Sequence, residues 1–223
     1  MVAQHPAFTG VIHVNTGIGI EQTREFVRNT CADFGWPLFE YKAEDLGIYY
    51  KDLILEMGFP GPPLHKIMYS RLKERCIRQI LRDFKRYRRD KIMFITGIRR
   101  SESKRRMGYE RAISKVDAQL WVAPMLHFLP TTKNEYMRTH NLPRNEVVDL
   151  LHMSGECLCG AYARPNELEE IAQWFPEVAD HIRQLEQEAK EAGVHCVWGK
   201  KPSKKAPSEQ LDFLPLCVDC SKI

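Results

Sequence analysis

The sequence predicts an α/β protein: a parallel sheet with flanking helices over residues 1–130, then a helical part over 131–223 that carries a cysteine metal site. Three observations predict it. In "GVIHVNTGIGIEQTREFV", residues 10–27, an apolar-rich run from Val11 to Val14 stops at Asn15-Thr16-Gly17 and opens after Gly19 into a helical pattern starting near Glu21. Short apolar runs then keep alternating with helical stretches, as parallel strands joined by crossovers require. After Pro130 such runs give way to Pro-punctuated helical segments and paired cysteines.

The elements follow in order. "GVIHVN" reads as a strand and "IEQTREFVRNTCADFG" as a helix with Phe26, Val27 and Thr30 toward a core, ended by Gly35. "PLFEYKA" is a second strand, "EDLGIYYKDLILEMG" is helical, and "FPGPP" is a loop because proline removes backbone donors. A long helix is expected from about Leu64 to Arg88, then the strands "KIMFITGI" and "AQLWVAPM". Beyond Pro130, two short helices split at Pro143, and two more split at Pro176, the first opening at Asn166 or Pro165. "GKKPSKKAPSEQ" is a polar loop of low ordering tendency.

Composition bounds the function. A hydrophobic fraction of 43% supports a true core in a chain of 223 residues, and no apolar run is long enough to span a bilayer. The N-terminus MVAQHPAFTG is not a secretory signal, so the seven cysteines read as thiols or metal ligands in a cytoplasmic protein with no membrane partner. The net charge is only +4, but Arg71–Arg111 holds 16 Lys/Arg against 5 Asp/Glu, leaving the rest of the chain net acidic. Such a concentration points to phosphate partners, nucleotide or nucleic acid, against the plainer reading of a solvated helix.

Two strand ends are candidate binding turns. Strand ends followed by Gly-containing turns are where open α/β sheets place ligands. The first is Asn15-Thr16-Gly17, expected to form the base or ribose side of a pocket. The second is "FITGIRRSESKRRMG", residues 94–108, where Gly97 is followed by Arg99, Arg100, Glu102 and Ser103. A helix start flanked by arginines suits an anion, and Arg offers a fixed fork of donors to phosphate oxygens. Ser101 is expected to cap that helix and Glu102 to orient Arg99 or Arg100. Parallel strands would put both turns on the same sheet edge.

The cysteines form a second group. Cys157 and Cys159 make a C-x-C in "SGECLCGAY", and Cys217 and Cys220 a C-x-x-C in "LCVDC". Four thiolates on loops can close a tetrahedral zinc or an iron–sulfur site, with a redox pair or unligated thiols as the alternative. Cys196 is a substitute ligand, and Cys31 and Cys76 read as packed. His13 lies within the first strand and reads as packed; His127 and His152 point to no triad.

"HVNTGIGIEQTREFV", "YSRLKERCIRQIL", "FITGIRRSESKRR" and "WVAPMLHFLPTTKNEYMRTHNLPRNEV" together resemble the phosphoadenylyl-sulfate (PAPS) reductase-like family, in consistent order over residues 8–160. The first resembles its D-T-G-type strand end, the second and third its basic helix and G-x-R-x-x-E-S-type strand end, the last its Pro-containing strand and following helix. The resemblance implies an adenine nucleotide alpha-hydrolase-like fold and an adenine nucleotide, ATP or PAPS, as ligand. It also implies sulfur-transfer or adenylation chemistry. Two departures accompany it. No S-G-G-x-D-S-type phosphate loop is present, so the family's first strand and loop are expected to be missing. The tail reads "CVDCSKI" where sulfonucleotide reductases carry an E-C-G-L-H type ending, so PAPS reduction itself is not expected. Sulfur-transfer enzymes of DNA phosphorothioation, which the chain also resembles, carry cysteines for a cluster, and this favours a [4Fe-4S] cluster over zinc. The second functional expectation is a catalytically incomplete, nucleic-acid-binding component of a phage or DNA-modification system, with DNA and protein partners.

Overall fold

Residues 2–102, 104–108 and 111–199 are described by a computed structural model. They fall into two compact units, one built from residues up to 77 together with those from 145 onward, the other from 78–144.

In the first unit, β1 (Val11–Asn15) runs parallel to β2 (Leu38–Lys42), with Val11 opposite Leu38 and Asn15 opposite Lys42. The β-branched residues of β1 favour the extended chain, and α1 (Glu21–Asp33) provides the crossover. Gly35 ends α1 in the left-handed region, φ 64°, where its N–H reaches the Ala32 carbonyl at 3.1 Å. The buried face of α1 is Thr23, Arg24 and Cys31; the expected core residues Phe26, Val27 and Thr30 flank it, half-buried. The polar residues take the inner face because that face meets a loop backbone, described below. The next stretch divides at Gly47 into a 3₁₀ turn, Glu44–Leu46, and α2 (Tyr50–Met57).

The long helix is real but segmented and shorter than expected. A 3₁₀ turn at Pro62–Leu64 leads into α3 (His65–Tyr69), a π-helical turn at Ser70–Glu74, and α4 (Arg75–Phe84). It stops before Arg88 because the Asp90 carboxylate accepts the backbone N–H groups of Arg86 and Tyr87, at 3.0 and 2.8 Å, and folds residues 85–91 into a turn.

The second unit holds a three-stranded sheet, β3 (Ile92–Ile95), β4 (Ile113–Val116) and β5 (Gln119–Val122), in the order β3-β5-β4. β3 and β5 are parallel, and Phe94 stacks on its neighbour Trp121 with ring centroids 4.6 Å apart. β4 was not expected; it pairs antiparallel with β5 through a tight turn at Asp117, φ 51°. The sequence reading placed the turns after β1 and β3 on one sheet edge. Among the described residues β1 pairs with β2 and β3 with β5, in separate sheets.

A short helix, α5 (Lys104–Met107), lies between β3 and β4, and a helical region follows as the prolines indicate: α6 (Pro130–Thr139), α7 (Glu146–Leu151), α8 (Glu167–Trp174) and α9 (Pro176–Glu191). Pro130 and Pro176 sit in the first turns of their helices, where a missing N–H costs nothing. Ala179, Ile182, Leu185 and Ala189 line the buried stripe of α9 and join Ile18, Ile20, Ile54, Leu72, Leu151 and Ile171 in the core of the first unit. No helix among the described residues is long and apolar enough to cross a membrane.

Candidate functional site

The first turn, after β1, is built around its own backbone. Asn15 is buried, and its Oδ1 accepts the Gly17 N–H at 2.9 Å. Thr16 is fully buried, with Oγ1 3.2 Å from the Ile18 carbonyl and 3.5 Å from that of Glu156. Gly17 lies at φ 80°, and a Cβ there would approach the Glu44 carboxylate at 3.0 Å.

What covers this turn is the loop that carries the C-x-C. Ile20 N–H donates to the Gly155 carbonyl at 2.8 Å, and Leu158 N–H to the Ile18 carbonyl at 3.1 Å. The Thr23 hydroxyl donates to the Ser154 carbonyl and accepts from Asn145 Nδ2 at 3.0 Å. The fit is close: a Cβ on Gly19 would sit 2.5 Å from the Glu156 carbonyl oxygen. Beside it lies a charged cluster. The buried His13 has Nε2 3.0 Å from Glu156 and Nδ1 3.7 Å from Glu40, and Arg24 Nε is 3.8 Å from Glu156. Arg28 grips Glu40 with two donors at 3.0 and 2.9 Å and holds that carboxyl below the usual carboxylate range.

In the loop itself, Cys159 is buried and Cys157 half-buried. A hydrogen bond from the Cys159 thiol draws Cys157 down to about 6, helped by the Lys73 ammonium and the Thr16 side chain; the same bond and burial push Cys159 up. Of the two thiols, Cys157 is therefore the one favoured as a thiolate. Tyr50 donates its hydroxyl to the Cys159 carbonyl at 3.4 Å; burial, then the nearby Cys159, Cys157 and Cys196, raise the phenol. Cys31 and Cys76 are buried, as expected. Cys217 and Cys220 lie outside the described residues. Among the described residues no group of three or more His, Cys, Asp or Glu is placed to hold a metal ion.

The second turn, after β3, has the opposite character. Gly97 is exposed, with open space where a Cβ would go. Arg99 Nε donates to Glu102 at 3.1 Å, so Glu102 orients Arg99; it also pairs with Arg106. Arg100 turns its fork onto the Met107 carbonyl, at 3.1 and 2.8 Å. Ser101 does not cap a helix: it is buried, with its hydroxyl donating to the Phe128 carbonyl at 3.0 Å. The following helix, α5, has four residues, too few for much of a dipole. Ser103 lies outside the described residues.

The model of the phosphoadenosine phosphosulfate reductase domain matches residues 1–154. The chain belongs to that family. Among solved structures, phosphoadenylyl-sulfate (PAPS) reductase from Candida auris, in its phosphate complex, matches with a TM-score of 0.45 and 18% identity, over 62% of this chain and 64% of that one. No curated protein matches. The matched family span includes both turns and ends three residues before Cys157. In this PAPS reductase-domain chain the cysteine loop thus begins where the family's own pattern stops.

Sequence reasoning found the two turns but missed what surrounds the first: His13 beside Glu156, Arg24 on the inner face of α1, and Lys73 near Cys157. Glu156 was the available signal, a carboxylate adjoining a C-x-C two residues after a buried-looking glycine. Its partners lie more than a hundred positions away, and no local pattern reports them.

Proposed function

We propose that the chain binds an adenine nucleotide, ATP or PAPS, and serves sulfur transfer or ATP-dependent adenylation in association with a cysteine-ligated metal centre. The observation that carries the reading is the family match across both strand-end turns, residues 1–154. Arg99, its guanidinium oriented by Glu102, offers the clearest anion contact, because an arginine fork held in place matches phosphate oxygens. Gly97 keeps the approach to it open, and in this proposal Arg100 and Ser103 join it as nucleotide contacts. Asn15, Thr16 and Gly17 supply backbone shape rather than exposed side chains, Thr16 being fully buried. Arginine at such a turn stabilises charge on phosphate oxygens during adenylyl transfer.

For the metal, Cys157 and Cys159 fit two corners of a soft site: they are adjacent, and one is held as a thiolate. In this proposal Cys217 and Cys220 complete the set, as ligands of a [4Fe-4S] cluster, or of zinc as the alternative, with Cys196 a substitute. A bound cluster would supply electrons or a labile sulfur; the chain's own part is to seat the loop against β1 and keep Cys157 ionised. The nucleotide reading is tested by titrating ATP and PAPS into the wild type, Arg99→Ala and Arg138→Ala. Loss on the order of tenfold or more for Arg99→Ala alone supports it, since a charge-assisted contact is worth about 1.5–3 kcal/mol. Equal affinities for the three proteins would remove it.

A further inference from the structure

The turn between α4 and β3, "KRYRRDK" at 85–91, is not used by the nucleotide reading, and its construction is unusual for a solvated charge run. Its one acid, Asp90, does not neutralise the arginines. Both bonds to Asp90 Oδ2 come from backbone N–H groups, of Arg86 and Tyr87, and the Asp90 N–H closes onto the Tyr87 carbonyl at 3.1 Å. The turn is therefore pre-shaped, and Lys85 Nζ adds a contact to the Arg88 carbonyl at 3.5 Å. The side chains of Arg86, Arg88 and Arg89 are exposed and make no ion pair among the described residues. Between them Tyr87 stands 75% exposed, although an aromatic ring ordinarily gains by burial. At the base of the turn Lys91 lies beside Lys115 on the edge strand β4, two ammonium groups close enough to lower the pKa of Lys91.

We propose that this turn is a contact for single-stranded nucleic acid, with Tyr87 stacking on a base and Arg86, Arg88, Arg89, Lys91 and Lys115 meeting phosphates. An exposed ring flanked by unpaired cations is the combination such strands require: bases stack on aromatic faces while Lys and Arg track the backbone. A free phosphate has no use for a planar ring, and the pairing of ring and cations favours a base-bearing polyanion. The place is distinct from the Arg99 turn. It precedes the first residue of β3, whereas Gly97 follows the last, so the two are separated by the strand's length, about 13 Å.

The experiment is a fluorescence-anisotropy titration of the full chain with labelled 20-nucleotide single-stranded DNA and RNA, the matching DNA duplex, and heparin as competitor, at two salt concentrations. The expected result is salt-dependent binding of the single strands in preference to the duplex, with the stronger of the DNA and RNA arms naming the source. Tyr87→Ala should weaken it on the order of tenfold, and Tyr87→Phe should retain it. Arg88→Ala with Arg89→Ala should weaken it and flatten the salt dependence, while Arg138→Ala, an exposed arginine on α6, should change little. These sites are exposed, so circular dichroism should be unaltered. Equal binding of the duplex, equal losses from Tyr87→Ala and Arg138→Ala, or absence of binding would overturn the proposal. ATP titration of the same wild-type sample reads the Arg99 turn separately, so either reading can fail without the other.

Discussion

Two turns of similar sequence logic end β1 and β3, and they meet opposite environments. The Asn15–Ile20 turn is filled by protein: its carbonyl and N–H groups close on the Gly155–Leu158 backbone, and Thr16 has no exposed surface. The Gly97–Glu102 turn is open at Gly97 and bears charge held by charge, Arg99 on Glu102. A strand end followed by glycine thus marks a place where backbone comes close to something. Whether that is a ligand or another loop depends on residues far away in the sequence. Here the first turn fixes the cysteine loop, and the second is the one we propose for an anion.

The comparison is broken most severely at Gly19. A Cβ 2.5 Å from the Glu156 carbonyl cannot be accommodated without shifting backbone, so Gly19→Ala should cost about 2–4 kcal/mol in urea unfolding. It should also expose Cys159 to thiol reagents. The matching change in the other turn, Gly97→Ala, meets open space and should leave stability within about 0.5 kcal/mol. If the two substitutions were equivalent, the turns would not differ as described.

Thr23→Val is the next largest. It removes the hydroxyl that joins Ser154 and Asn145 and leaves a part-buried amide unpaired, at a cost of about 1–2 kcal/mol. Chemical denaturation of the variant checks it, and Asn145→Ala in the same background should then cost only the α7 N-cap, where Asn145 Oδ1 accepts the Val147 N–H at 3.0 Å, about 1 kcal/mol.

The thiolate sharpens the comparison through pH. In metal-free protein, alkylation of Cys157 should follow a titration near 6, while Cys159 stays protonated well beyond the ordinary thiol range. Because the folded value of Cys157 is depressed, its contribution to stability is present above the unfolded thiol pKa and is lost as pH falls through about 6. Stability should therefore rise modestly between pH 6 and about 9. A Cys157→Ser variant should lose that slope; an unchanged slope would place the thiolate elsewhere.

Much of the fold was legible because it depends on local chemistry. Val11–Val14 and Ile92–Ile95 are apolar runs bounded by turns, Gly35 and the prolines at 130, 143 and 176 punctuate helices, and α9 shows its buried stripe at helical spacing. β4 escaped because Ile113-Ser114-Lys115-Val116 is an exposed edge strand with neither a continuous apolar run nor alternation. The helix end at Phe84 escaped because it is decided by one side chain, Asp90, reaching back to the backbone. The separation of β1 and β3 into different sheets, and the cover over Thr16, rest on contacts that no window of sequence contains.

The central claim is that the turn after β3, and not the turn after β1, offers side chains to an anionic nucleotide. Isothermal titration of ATP into the wild type, Arg99→Ala and Thr16→Val tests it most directly. The account predicts that Arg99→Ala weakens binding on the order of tenfold or more. Thr16→Val, buried beneath the cysteine loop, should bind ATP as the wild type does while lowering stability. Loss of ATP binding in Thr16→Val with full binding in Arg99→Ala would contradict it.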